Sequence, residues 1–253
     1  MDLKYKECVK KLFGGWEETL IWSCLEGSMG DIYVDSPENP GAAMAVLGDF
    51  CFFAGTADEA LVKYRPKGRQ RFMIMIPQNR QWARLIEDVY QEAAVKVERY
   101  AIKKEPDVFD REYLGKIAGK ITDGFSLRRI DGALYGQCMA QPWSRDLVSQ
   151  FATADIYARH GLGFVALKDG EIVSGASSYS VYSKGIEIEI DTREDYRRKG
   201  LALACGARLI LECLDRGLYP SWDAQNMASV ALAQKLGYHY AGAYTAYEVR
   251  WDS

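Results

Sequence analysis

Four cations crowd one short stretch of this chain: Arg193, Arg197, Arg198 and Lys199 stand just before Gly200-Leu201-Ala202, where a helical repeat of apolar residues begins. A helix start carries partial positive charge and unpaired N–H groups, so sequences normally place Asp or Glu there. Cations in that position cost stability unless an anion meets them, and Gly200 lets backbone N–H groups approach one closely. The stretch reads as a cradle for a phosphate or pyrophosphate. The plainer alternative is a solvated basic loop ahead of an ordinary helix. Immediately upstream, Glu187, Glu189 and Asp191 alternate with Ile186, Ile188 and Ile190. The carboxylates are candidate general bases, Glu187 and Glu189 first and Asp191 third; the alternative is that they form the solvated face of an antiparallel strand.

The elements that must position these groups follow from periodicity. Ile186 to Asp191 alternates with period two and predicts a half-buried strand. Leu203, Ala207, Ile210 and Leu214 recur at helical spacing, with Gly217 where a C-terminal cap belongs. Before them, Phe125 to Ile130 predicts a strand, Ala133 to Met139 and Trp143 to Tyr157 two helices, and Gly163 to Leu167 and Glu171 to Tyr182 strands joined at Asp169-Gly170, a hairpin signal. After them come a short strand at Tyr219 to Trp222, a helix at Ala228 to Leu236 and a strand pair from Tyr238 to Trp251. Asn226-x-x-Ser229 precedes that last helix and Lys235-Leu236-Gly237-Tyr238 ends it; by residue type alone Asn226 is an N-cap and Gly237 a helix stop.

Arg197-x-x-Gly200-x-Ala202 matches the R/Q-x-x-G-x-G/A pattern of the GCN5-related N-acetyltransferase (GNAT) superfamily, and it stands between a strand and a helix as that family requires. The Asn226 to Tyr238 segment is similar to the family's N-x-x-A/S…K-x-G-F/Y element. From Phe125 to Trp251, about half the chain, the order of elements resembles the superfamily. The resemblance implies a mixed α/β (α+β) fold with a mostly antiparallel sheet flanked by helices. It implies acetyl-CoA as cosubstrate, in a V-shaped gap where the Ile186 strand splays from the next one. The pantetheine would then lie along Ile190, Asp191 and Thr192, and the pyrophosphate on Arg197, Arg198, Lys199, Gly200, Leu201 and Ala202. Asn226 and Ser229 would line the other side, and backbone N–H groups near Asp191 and Thr192 would meet the developing oxyanion. Many members carry a tyrosine general acid seven residues after the Asn, but Ala233 occupies that position here. Ser229, Tyr238, Tyr244, Tyr247 or water are the replacements, and Trp143, Tyr179, Tyr182 and Trp222 are candidate acceptor-lining residues. The full-length pattern, through SGASSYSVYSKGIEIEIDTREDYRRKGLA, is further similar to the acetyltransferase subgroup that includes a zwittermicin A self-resistance enzyme, which implies a small-molecule amine acceptor.

The first half of the chain predicts helices from Tyr5 to Leu25, broken at Gly14-Gly15, and strands at Asp31 to Val34, Ala42 to Leu47, Gly48 to Ala54 and Arg71 to Ile76. A short helix is expected at Asp58 to Tyr64, an amphipathic one from Gln81 to Val97, and a strand at Glu98 to Lys103. This order repeats that of the second half without the cation loop. It reads as an N-terminal α/β lobe, residues 1–122, that is a degenerate GNAT-like repeat or an unrelated cap, ahead of an acetyltransferase domain, residues 123–253. Val108 to Ile121 is a connecting helix, and Asp123-Gly124 a turn beside the boundary near Thr122.

Composition narrows the classes. Across 253 residues the net charge is −3, which argues against a broad nucleic-acid surface and against a tandem acetyltransferase that takes aminoacyl groups from tRNA. No apolar run has membrane-spanning length and the N-terminus has no apolar signal core, so a cytoplasmic protein without membrane partners is expected. Six cysteines lack C-x-x-C spacing and two histidines lack ligand neighbours, so no metal site is expected. The functional expectation is transfer of an acetyl group from acetyl-CoA to a primary amine of an antibiotic-like small molecule. A non-catalytic acyl-CoA sensor, motivated by Ala233, is the alternative. Neither oligomeric state nor acceptor identity is legible.

Overall fold

A computed structural model of the chain describes residues 3–66, 72–121 and 124–251. These divide into two compact units, Met1–Arg99 with Ala243–Ser253, and Tyr100–Gly242. The boundary expected near Thr122, Asp123 of the expected turn and the Arg71 start of a strand lie outside the described residues.

The first unit holds α1 (Leu3–Leu12), α2 (Thr19–Glu26), β1 (Asp31–Val34), β2 (Ala42–Leu47), β3 (Phe50–Gly55), α3 (Glu59–Lys63), β4 (Phe72–Pro77) and α4 (Arg80–Tyr90), then most of β5 (Ala94–Ile102). β1, β2 and β3 are antiparallel neighbours, and β4 runs parallel to β3. AAMAVL, FCFFAG and FMIMIP are near-continuous apolar runs because their strands are covered on both faces. Trp82 of α4 is fully buried, stacks on Phe53 at 5.0 Å and donates its indole N–H to Gly55 O at 3.0 Å, which fixes the helix to the sheet. α4 stops at Tyr90 rather than Val97, because Gln91 takes a φ of 48° that no helix continues through, and β5 starts at Ala94.

The second unit contains the end of β5, α5 (Arg111–Gly119), β6 (Phe125–Arg129), α6 (Gly132–Ala140), α7 (Ala154–His160), β7 (Gly163–Lys168), β8 (Glu171–Tyr182), β9 (Gly185–Thr192), α8 (Leu201–Asp215), β10 (Tyr219–Ser221), β11 (Asp223–Ala224), α9 (Met227–Lys235) and the start of β12 (Tyr240–Arg250). Its sheet has the order β10-β9-β8-β7-β6, antiparallel except for the parallel β9–β10 pair. The helix expected over Trp143 to Tyr157 is instead a 3-10 turn, Arg145–Leu147, and the separate α7. Thr153 starts α7 by accepting from Ile156 N at 3.2 Å, so the chain restarts a helix there rather than continuing one. The strand pair expected at the end is the single strand β12.

β5 and β12 each run across the boundary between the units. Residues 247–250 of β12 pair with β4 in the first unit, whereas Tyr100 and Ala101 of β5 pair with β11 in the second. All six cysteines are free thiols, five of them buried, and behave as small apolar side chains. Among the described residues no helix is long and apolar enough to cross a membrane.

Candidate active site

β9 places its isoleucines and its carboxylates on opposite faces, as alternation requires. Ile186 and Ile188 join the core beneath α8 with Leu201, Cys205, Leu209 and Ile210. The helix sits tight on the strand where Gly206 has no side chain: a Cβ there would come within 2.9 Å of Leu236 Cδ1 and 3.5 Å of Ile190 Cδ1. The opposite face is covered by the 3-10 turn Arg145–Leu147, whose Leu147 packs against Gly175. That turn lies at the Gly175↔Asp191 end of the sheet; Glu187, between Ser180 and Ser221, is only 5% exposed, so a solvated strand face does not describe it. Glu189 and Asp191, nearer the end of the strand, are half-buried. Burial raises the Asp191 pKa from its ordinary 3.8, against the lowering effect of the Thr192 N–H and Arg197.

The parallel β9–β10 ladder has three rungs and ends at Ser221↔Glu187. Beyond that rung β9 runs on to Thr192 without β10, and the other chain departs: Asp223 and Ala224 pair with β5 instead. The departure is pinned by Trp222, whose indole N–H donates to Ser229 Oγ at 3.0 Å, and by Tyr238, whose hydroxyl donates to Pro220 O at 2.6 Å. A V-shaped gap with one strand edge from Ile188 to Thr192 results. Asn226 follows on the departing chain, just after β11, as the N-cap of α9, accepting from Ser229 N at 3.0 Å through Oδ1.

The edge leads directly to the cation loop. Gly200 is the N-cap of α8 with φ 76°, no side chain caps the helix, and its first turn holds no acid, so the leading N–H groups are left facing outward. Arg198 also has a positive φ of 61°, an uncommon conformation for a residue with a side chain. Successive left-handed and helical residues turn backbone N–H groups to one side, the arrangement that holds anions. Arg193 is forked onto Asp195 at 2.8 and 3.0 Å and covers the Tyr196 ring, and Arg197 donates to Thr192 O at 3.3 Å. Arg197, Arg198, Lys199 and Gly200 are exposed, Leu201 is buried and Ala202 half-buried. A cavity of about 150 Å³ adjoins the loop, lined by Ile117, Lys120 and Ile121 with Lys199, Leu201 and Leu203. Lys120, on the residue after α5, adds a cation that the motif did not include; only its tertiary placement reveals it.

The structure thus runs the sequence-selected strand directly into the cation loop, and ties the Asn226–Ser229 segment to the departing chain through Trp222. It refines several assignments. The Thr192 N–H donates to its neighbour Asp191 Oδ1 at 2.6 Å, so that donor is engaged within the chain. Tyr238 is fully buried with its pKa pushed well up by burial, and Trp222 and Tyr179 are buried too. Tyr247 belongs to the first unit, where its hydroxyl donates to Glu87 Oε1 at 2.6 Å, and Tyr244 lies in the same unit. Trp143 and Tyr182 remain half-buried. Ser180 and Ser221, the cross-strand neighbours of Glu187, were not singled out by sequence, because register is a long-range property.

The GNAT acetyltransferase family model matches residues 10–247. The crystal structure of a GCN5-related N-acetyltransferase-like protein from Streptococcus suis is 49% identical, covers 98% of this chain and 99% of its own, and superposes with a TM-score of 0.93. An uncharacterized N-acetyltransferase of Bacillus subtilis, YdfB, is 29% identical over 90% of this chain and 89% of its own length. A GCN5-related N-acetyltransferase from Kribbella flavida, at 14% identity, shares the fold with a TM-score of 0.59 over 92% of this chain and 95% of its own. With a family match spanning nearly the whole sequence and a strand gap leading into an uncapped, cation-rich helix start, this chain belongs to the GNAT acetyltransferase family.

Proposed function

We propose that the chain is an acetyl-CoA-dependent N-acetyltransferase acting on a primary amine of a small, antibiotic-like molecule. The observation that carries this is the end of the β9–β10 ladder at Glu187↔Ser221, which opens a strand edge running into the helix start at Gly200. The residues fit acetyl-CoA. The β9 edge from Ile188 to Thr192 suits the amide-bearing pantetheine arm, with Asn226 and Ser229 across the gap. Arg197, Arg198, Lys199 and the N–H groups from Gly200 to Ala202 suit the pyrophosphate. Acetyl-CoA supplies, when bound, an acyl carbon open to a neutral amine and a thiolate leaving group.

Glu187 takes the ammonium proton, directly or through water, with Glu189 next along the same face drawing the cation in. A buried carboxylate beside the vertex of the gap suits this task better than the more open Asp191. Negative charge on the acyl oxygen is met by β9 N–H groups beyond the last β10 rung, Thr192 excepted. For the thiolate, Ser229 is the favoured relay, passing its hydroxyl proton to the sulfur as its Oγ takes up the second proton released by the nitrogen of the tetrahedral intermediate. Its Oγ accepts from Trp222, which leaves its own proton to give, whereas Tyr238 already donates to Pro220.

The net charge of −3 and the narrow cationic site favour a small acceptor over a nucleic acid. The first unit's three antiparallel strands, helix and parallel strand match β7, β8, β9, α8 and β10 of the second, without a counterpart of β6 or a cation loop; this supports reading it as a degenerate GNAT-like lobe. Release of free thiol from acetyl-CoA with a panel of primary amines tests the proposal. Glu187→Gln should abolish most of the release, and undiminished release would overturn the assignment of the base.

A further inference from the structure

We infer that Ser180 and Ser221 are positioning residues for Glu187, their hydroxyls holding its carboxylate in the ionised form from the strands on either side. The inference rests on Glu187 serving as the base. Glu187 lies opposite Ser180 on β8 and opposite Ser221 on β10. Neighbouring strands lie about 4.8 Å apart; neither serine hydroxyl bonds the Glu187 carboxylate in this structure, and a change of side-chain rotamer is what would bring each toward it.

The placement on β8 depends on an irregularity. Register steps from Ser178↔Ile188 to Ser180↔Glu187, so Tyr179 is an extra residue and the strand bulges there. Without the extra residue Tyr179 would stand opposite Glu187; the bulge sets a small hydroxyl there instead. On the other side Ser221 forms the last rung before the strands part, so the gap begins at a serine–glutamate pair.

Both hydroxyls are sealed from solvent, Ser180 being 0% and Ser221 1% exposed, and neither Oγ has a hydrogen-bond partner among the described residues. Burying a hydroxyl without a partner is costly, so each must find an acceptor. By register the acceptor common to both is the Glu187 carboxylate, itself buried. The charged groups on its own strand oppose its ionisation. Glu189 and Asp191 share its face; Tyr219 and Tyr238 feel its charge but stay neutral, burial pushing both hydroxyls up, and Arg145 and Asp146 lie toward the Asp191 end of the strand. Two O–H donors favour the charged form and offset the two neighbouring carboxylates.

The test is a titration that needs no acceptor. Protein labelled with carboxyl-13C glutamate is followed by NMR against pH, and the resonance missing from Glu187→Gln reports Glu187. Ser180→Ala and Ser221→Ala should each raise its midpoint by about one pH unit, while Ser180→Thr, which keeps the hydroxyl, should titrate like the wild type. If Ser180→Ala does not fold, Ser180→Cys keeps the size with a far weaker donor and carries the same expectation. Unchanged midpoints in natively folded variants would overturn the inference, since a merely structural serine lowers melting temperature without moving the titration. Acetyl transfer by Glu187→Gln at the wild-type rate would instead remove Glu187 as the base and leave the serine titration to be judged alone.

Discussion

Substitution at Gly200 separates the two demands on the cation loop. Its φ of 76° lies in the left-handed region, yet a Cβ added there meets no heavy atom within 4 Å. The cost of a side chain is therefore backbone strain alone, about 1–2 kcal/mol for an L-residue in that conformation. Gly200→Gln should lower the unfolding free energy by that amount. Gly200→Glu carries the same strain and adds a negative charge where the pyrophosphate would lie. Like charges roughly 5 Å apart, at an effective dielectric between about 20 and 80, repel by ~1–3 kcal/mol. Acetyl-CoA should thus bind the Glu variant ~5- to 150-fold more weakly than the Gln variant. In the free protein the new carboxylate sits among Arg197, Arg198 and Lys199, so Gly200→Glu should be no less stable than Gly200→Gln. Urea denaturation reads the first quantity and calorimetric titration with acetyl-CoA the second. Equal affinity of the Gln and Glu variants would refute the assignment of the loop as the anion site, leaving a solvated basic loop.

Other outcomes follow from individual residues. Asn226→Ala removes the α9 N-cap and should cost about 1 kcal/mol in denaturant titration, with Asn226→Ser recovering most of it. Tyr238→Phe loses a buried hydrogen bond to Pro220 O and should cost roughly 1 kcal/mol while leaving the rate of thiol release unchanged; a large loss of rate would make Tyr238 the acid after all. Asp191 has its folded-state pKa raised above 3.8, so its contribution to stability is present at low pH and is lost as pH rises through its folded pKa. Asp191→Asn should accordingly be more stable than wild type at neutral pH and show no gain below the unfolded carboxylate pKa, by thermal melts across pH.

What could be read without coordinates was what is local. The alternation of Ile186, Ile188 and Ile190 with Glu187, Glu189 and Asp191, and the apolar repeat after Gly200, are each decided within a dozen residues, so strand, loop and helix were legible together. Asn226 likewise carries its capping role in its own side chain. The burial of Glu187 was not legible. Period two puts it on the face that water usually takes, and its burial depends on the strands that flank it, β8 and β10, which are distant in sequence from one another. The bulge at Tyr179, the end of the β9–β10 ladder and the crossing of β5 and β12 between the units are all pairings between remote segments, for which neither propensity nor periodicity carries information. The run from Trp143 to Tyr157 read as one helix because its apolar residues recur at helical spacing; the break comes from Thr153 capping a new helix start.

Turnover by the purified wild-type protein tests the central claim most directly: acetyl-CoA with a panel of primary amines, thiol release followed continuously and the acetamide product identified by mass spectrometry. Amine-dependent thiol release matched by acetamide, lost in Glu187→Gln while that variant still binds acetyl-CoA by calorimetry, is the predicted result. Tight binding of acetyl-CoA by the wild type with no thiol released alongside any amine would contradict it and mark the gap as the site of an acyl-CoA sensor.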